Sequence, residues 1–431
     1  MKIKTKNRQI ENLEMLQKNI LFDEISNYEA SAAIRQLPIT WEKALDFSVF
    51  DDKKNKWIDL TSGIFVTNSG HSNSKINEMI KKQLDSNLVF SYNYPTNIKK
   101  EFLKKLFDIS PKYFNKAILL MTGSEAVDAA YKLIKMHGKK EKRRYIISFK
   151  GSYHGRGLSN DLISGGKEKS GWANVKDDDV VFLDFPYNED DSFSPEALPS
   201  SSEISAFFLE TFQGWGAWFY PSKFISDLYS YAKSSNILVC FDEMQAGFYR
   251  LGPVYGYMTY GKHIQPDIIC IGKAISGSLP IAAVLSRKEV IDISTNADLH
   301  GTHSGNPLCC AAALANLEFL TELANTDEFK LRLRTFEKGV TALSKMPILK
   351  KVNVRGMIAG LIFDTAEIAT KIVIELISQG VLPVCTNRNS IKLAPPLTIS
   401  IDALEEAICV IGKVLQKMKG QHGQRQKNDL F

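Results

Sequence analysis

Two residues in this chain combine a reactive side chain with a position from which it could act. Lys273 follows the run Asp267 to Ile271 within DIICIGKAISGSLP, with Gly272 before it and Gly277 after it. Most lysines sit in water. One that follows a buried strand loses hydration, its pKa falls, and the neutral amine becomes a nucleophile able to condense with an aldehyde. Asp242 closes the apolar run Ile237 to Phe241, which puts a carboxylate at the C-terminal end of a strand, where open α/β sheets bind their ligands. A third feature, Thr122-Gly123-Ser124-Glu125, lies between a strand ending at Met121 and a helical pattern. A helix N-terminus offers free N–H groups to an anion. The same residues also make an ordinary cap, so the turn by itself leaves both readings open.

The elements that position these residues follow from the pattern around them. From about residue 117 to 285 short β-branched runs alternate with helical or polar segments, the signature of an α/β domain. The expected strands are Ala117 to Met121, Tyr145 to Phe149, Val180 to Phe185, Ala206 to Leu209, Leu238 to Asp242, Asp267 to Ile271 and Ala282 to Ser286. Several are apolar on both faces, as a covered sheet requires. Ser124 to Met136 carries one apolar stripe, Ala126, Ala129, Ala130, Leu133 and Ile134, and reads as a helix with one buried face. An alanine-rich helix begins beyond Gly305, and from about 330 a second, smaller α/β pattern follows, with strands at Ile358 to Phe363 and Ile391 to Leu393 and a helix at Ile368 to Ser378. The end from Lys417 is polar and is expected to fray.

Composition narrows the function classes. With 431 residues, 44% hydrophobic and 24% charged, the chain can bury more than one core. A formal charge of +6 over this length does not call for a nucleic-acid partner, and the basic run Lys139 to Arg144 reads as a solvated loop. Six cysteines without a C-x-x-C indicate neither a zinc site nor a disulfide framework, so no metal is expected. The apolar stretches Ile268 to Ile271 and Ile281 to Leu285 are far short of the ~20 residues that span a bilayer. The first residues lack the apolar core of a secretory signal, and the expected compartment is the cytoplasm, with no membrane partner.

A lysine that holds an aldehyde and an aspartate that keeps a pyridine nitrogen protonated, so that the ring draws off electrons, are what a pyridoxal phosphate site needs. The remaining motifs make the likeness specific. VFDDKKNKWIDLTSGI, GHSNSKI, TGSEAVDAA, SYHGR, ETFQG, FDEMQAGFYRLG, GKAISGSLPIAAV, GTHSGNPLCCAAA, VRGMIAGLIF and IKLAPPLTIS, in that order from about residue 45 to about 400, resemble the class III aminotransferases. This is the ornithine, acetylornithine and 4-aminobutyrate aminotransferase group of the fold-type I pyridoxal phosphate enzymes. The resemblance implies an α/β fold with a mostly parallel central sheet covered by helices plus a smaller α/β domain. It implies an N-terminal segment, 1–60, packing with the small domain, a large cofactor domain over 61–310, a small domain over 311–417 and a polar tail over 418–431.

The resemblance also assigns roles. Lys273 matches the Schiff-base lysine and Asp242 the partner of the pyridine nitrogen. Gln245 matches the residue beside the cofactor's phenolic oxygen, Gly123 and Ser124 the phosphate loop, and Tyr153 the aromatic that stacks on the ring. Thr302 matches the residue that reaches the neighbouring subunit's phosphate, implying a homodimer with shared active sites. Arg156 matches an arginine used on a substrate carboxylate, while Glu210, His154 and His303 match supporting residues. Two positions depart from the pattern. Glutamate-using members commonly carry Glu after the Gln-Gly, paired with Arg before the Pro-Pro-Leu element; here Trp215 and Lys392 stand there. Either both line a re-engineered pocket, or Trp215 is core packing and Lys392 points to solvent. The implied activity is transfer of an amino group from an amino acid donor, glutamate first and alanine second, to a small polar ketone or aldehyde. A decarboxylase, racemase or aminomutase of the same fold and a non-catalytic regulatory relative are the rivals. A nucleotide-binding protein is disfavoured because no GxxxxGK[ST] or GxGxxG loop is present.

Overall fold

Strands apolar on both faces are stable only inside a covered sheet, and the seven runs between residues 116 and 286 form one. The computed structural model describes residues 2–11, 20–31, 39–165, 178–293 and 299–428. In it the sheet order is Lys116–Leu120, Ala282–Ser286, Ile268–Ile271, Leu238–Asp242, Ile204–Glu210, Tyr145–Phe149 and Val180–Leu183. The pairs are parallel except for those made by Ala282–Ser286, which runs against both neighbours. In this register Asp242 lies opposite Glu210 on one side and Cys270 on the other. The strand ends thus bring two carboxylates together, with Lys273 three residues beyond Cys270.

The helix Gly123–Glu141 covers the sheet with the expected stripe: Ala126, Ala130, Leu133 and Ile134 are buried with Phe208, Cys240, Cys270 and Val284 in one core cluster. Truncating a side chain as buried as Leu133 to Ala costs about 2–5 kcal/mol. The alanine-rich helix is Pro307–Ala324. It is apolar on nearly all sides because it is a core helix, packed on the helices Ser74–Asp85 and Asn97–Ile109.

The chain divides into two units, Ser74–Asn325, and Met1–Asn73 with Thr326–Phe431. The division falls at 73/74 and 325/326, not at 60/61 and 310/311, because the segment up to Asn73 and the whole helix Pro307–Ala324 keep to their own cores. In the split unit Arg8 pairs with Glu406, and Val381–Leu382 joins Lys56–Asp59 as a parallel neighbour. A four-stranded antiparallel sheet orders Lys351–Arg355, Ile358–Ile362, Ser390–Leu393 and Val384–Arg388.

Two expectations need correction. The run Lys139 to Arg144 is not simply a solvated loop: the helix continues to Glu141, and Arg143 donates to the carbonyls of Ser201, Ile204 and Ser235, each at 2.9 Å. Past Lys417 the last helix, Ile401–Asn428, continues to the end of the described residues; that stretch has no proline and is rich in Lys, Gln and Arg, which favour helix.

Candidate active site

Lys273 opens a short 3-10 turn, Lys273–Ile275, directly after the strand Ile268–Ile271. Its φ is +45°, a left-handed conformation that disfavours any residue with a Cβ and persists only when its surroundings impose it. Ile275 N–H bonds back to Gly272 O. The buried Asn316, from the apolar helix, donates its amide to Ala274 O at 2.7 Å and Ile275 O at 3.0 Å. Burial lowers the pKa of the Lys273 amine, and the nearby Asp242 and Glu210 carboxylates only partly oppose that.

The Asp242 carboxylate is fixed on both oxygens. Oδ1 accepts Met244 N–H at 3.0 Å and Oδ2 lies 2.9 Å from His154 Nδ1. The other ring nitrogen of His154, Nε2, is buried with no hydrogen-bond partner among the described residues. Glu210 accepts Tyr153 N–H at 3.0 Å and Gly214 N–H at 3.1 Å. Burial pushes its carboxyl up to about 7, with the Asp242 charge adding to the shift and His154 opposing it.

At the other end of the cavity stands the N-terminus of Gly123–Glu141. Thr122 accepts Glu125 N–H, and Glu125 reaches back to Met121 N–H and Thr122 N–H. This cap leaves the first N–H groups of the helix, those of Gly123 and Ser124, directed at the cavity end. Gly123 packs closely here: a Cβ would come within 2.8 Å of Met244 Sδ, and one on Gly272 within 2.6 Å of the same atom, so the methionine side chain would have to move.

Lys273, Asp242, Gly123, Ser124, Tyr153, Gln245 and Glu210 line one cavity of about 180 Å³, together with His154 and Met244. The donor set fits pyridoxal phosphate: a desolvated amine, a fixed carboxylate, a helix N-terminus for a phosphate and an aromatic side chain. Other candidates lie outside that lining. Arg156 is exposed, with Nε 3.2 Å from Tyr153 Oη and its N–H on Ser124 Oγ. Trp215 is half-buried, three residues past the cavity-lining Phe212 in sequence. Thr302 is exposed on the loop before Asn306, as is His303, whose ring lies 5.1 Å from that of Phe90. Lys392 belongs to the other unit and is 6% exposed, with Nζ 4.5 Å from the Phe65 ring centroid. It does not point to solvent.

Four residues of this region escaped the sequence reading of the site: Asn316 under the Lys273 turn, Met244 between two glycines, the buried Gln213, and Glu243. The last accepts Gly256 N–H at 2.6 Å, Tyr257 N–H at 2.8 Å and the Thr211 hydroxyl. Met244 and Glu243 carried a signal in their adjacency to Asp242 and Gln213 in its place within ETFQG; Asn316 carried none.

A mostly parallel sheet with lysine, aspartate and a helix N-terminus converging beyond its strand ends is the arrangement of a fold-type I pyridoxal phosphate enzyme. Among solved structures, the chain superposes on the ornithine aminotransferase of Toxoplasma gondii with a TM-score of 0.83 over 94% of this chain and 96% of that one, at 22% identity. Residues 30–415 match the family Aminotransferase class-III. The acetylornithine aminotransferase of Bacillus subtilis is 31% identical over 85% of this chain and 92% of its own length, and the ornithine aminotransferase of Brevibacillus brevis 30% over 93% and 99%. The chain belongs to the class III aminotransferases and is a pyridoxal phosphate-dependent transaminase.

Proposed function

We propose that this transaminase takes its amino group from glutamate, or secondarily alanine, and delivers it to a small polar ketone or aldehyde. The observation that carries the reading is the convergence of Lys273, Asp242 and the Gly123–Ser124 helix start on one cavity. When bound, pyridoxal phosphate supplies an aldehyde for the amine and a ring that withdraws electrons from the substrate α-carbon. Lys273 provides the amine that anchors the cofactor, and its depressed pKa suits it to move a proton at the substrate α-carbon. Asp242, oriented by His154 and by Met244 N–H, holds the proton on the pyridine nitrogen. Gln245 would meet the phenolic oxygen, Tyr153 would stack on the ring, and Gly123 and Ser124 would hold the phosphate, all four lining the cavity.

Arg156 is the proposed grip for the donor carboxylate, since a guanidinium binds it through two parallel hydrogen bonds. Trp215, replacing an acid, favours an acceptor other than a long ω-amino acid. The relatives' names, ornithine and acetylornithine aminotransferase, make an ω-amine donor the rival. Half-reactions with glutamate, alanine and ornithine, read as conversion of the cofactor, separate the two. Conversion by ornithine alone would overturn the glutamate reading.

A homodimer with shared sites completes the proposal. Leu84, Leu88, Val89, Phe90, Tyr92 and Tyr94 are all exposed, an apolar concentration that marks interaction surfaces. It adjoins the Thr302 loop through Asn306 Nδ2 to Val89 O at 3.1 Å and the Phe90–His303 ring contact. This supports Thr302 acting on the neighbouring subunit's phosphate.

A further inference from the structure

Trp215 sits at the tip of a small hairpin, Phe212–Gln213 paired with Trp218–Phe219. A hairpin this short has little rigidity of its own, so something else must hold the indole. The Gln213 side chain does, and it is fully buried. Its Oε1 accepts Trp215 Nε1–H at 3.1 Å and the Tyr187 hydroxyl at 3.3 Å. Its Nε2 donates to Lys150 O at 2.6 Å. Lys150 begins the turn that delivers Tyr153, His154 and Gly155 to the cavity. Gly151 in that turn has φ +84°, and a Cβ there would stand 3.2 Å from Gln213 Oε1. Two of the three partners of this one amide, Trp215 and Lys150, therefore belong to segments that also supply cavity-lining residues, Phe212 in one and Tyr153 in the other. Tyr187 and Trp218 brace the tip by ring contact at 4.9 Å, and Trp218 meets Trp215 at 5.8 Å.

We propose that Gln213 is a positioning residue for substrate selection: its amide locks the Trp215 indole to the turn that presents Tyr153. With its N–H bonded to Gln213, the indole has no donor left for a substrate and can meet one only through its ring. The wall thereby selects by shape and apolar contact where an acid in its place would select by charge. A buried amide with both ends in use holds one geometry, because rotating it would unpair three polar groups at once. The inference rests on the reading of Trp215 as a substrate-side residue.

The test compares Gln213→Leu, Trp215→Phe, Tyr187→Phe and Trp215→Ala in the holoenzyme. Trp215→Phe keeps a ring but loses the N–H, so it cuts the same bond from the other end without stranding Lys150 O, and it serves even if Gln213→Leu folds poorly. Gln213→Leu and Trp215→Phe should each raise the KM of the preferred substrate about 5- to 10-fold with kcat little changed, the effect of losing one such bond. The double variant should be no worse than either single one. Tyr187→Phe should give a smaller rise in the same KM. Tryptophan emission should change in Gln213→Leu, and the change should be smaller when the same substitution is made on the Trp215→Phe background, where Trp218 alone remains beside Gln213. Trp215→Ala altering substrate preference while Gln213→Leu leaves KM and emission unaffected and Trp215→Phe leaves KM unaffected would overturn the role of Gln213 and spare that of Trp215. Trp215→Ala leaving every substrate's kcat/KM unchanged would sink the reading of Trp215 and this inference with it.

Discussion

Lys273 occupies a backbone conformation that costs about 1–2 kcal/mol for a residue with a Cβ, and Asn316 is the side chain that stabilises it. Lys273→Ala should bind cofactor without covalent attachment, so borohydride reduction followed by peptide mapping should label wild type at Lys273 and leave the variant unlabelled. Asp242→Asn should keep cofactor but lose turnover by several orders of magnitude, because a neutral pyridine holds carbanion charge poorly; near-native kcat would count against the role given to Asp242. Glu243 makes a prediction about pH. Burial raises its carboxyl from 4.5 to about 7, so its share of stability is present below 4.5 and is lost as pH rises through about 7. The melting temperature of wild type should therefore fall more between pH 5 and 8 than that of Glu243→Gln, and parallel curves would contradict this. Lys273 and Asp242 were legible in the sequence because an apolar run fixes where a strand ends. Asn316 was not, because its partners lie 42 and 41 residues away in the chain and no local pattern names it; Gln213 stood in a quoted motif, but its bond to Lys150, 63 residues away, was not readable.

At the scale of elements, the helix start at Gly123 and the strand end at Gly272 close on the same Met244 side chain. Gly123→Ala should weaken cofactor binding by about 1–3 kcal/mol through overpacking, and Met244→Ala on that background should restore part of it; cofactor titration of the two variants checks both. A second element stores strain: Ser62, Gly63, Ile64 and Phe65 all have positive φ, from +48° to +70°, a left-handed turn pinned by Thr61 N–H on Asp59 Oδ1 and Ser62 Oγ on Ala394 O. Ile64, β-branched and 40% exposed, is the costliest member. Ile64→Asn should leave the melting temperature unchanged or raise it, whereas a drop of several degrees would show that Ile64 packing outweighs its strain. The seven-stranded sheet was readable because its strands are apolar on both faces. The strands Lys351–Arg355 and Val384–Arg388 were not, since each mixes charged and apolar residues and finds its register only by pairing with Ile358–Ile362 or Ser390–Leu393. The left-handed turn has no signature in residue type beyond one glycine.

For the whole molecule, the proposed homodimer predicts complementation. Mixing the inactive Lys273→Ala and Thr302→Ala chains should restore part of the activity, because each heterodimer would assemble one site with both residues intact. Heterodimers that form without any gain in activity would contradict a Thr302 that acts across the interface. The chemistry itself is tested most directly by a single-turnover reaction of the holoenzyme with glutamate, or alanine, and no acceptor. One oxo acid and one pyridoxamine phosphate should form per Lys273, with none from Lys273→Ala. Carbon dioxide release, or racemised amino acid returned with the cofactor still in its aldehyde form, would contradict amino-group transfer as the reaction this site performs.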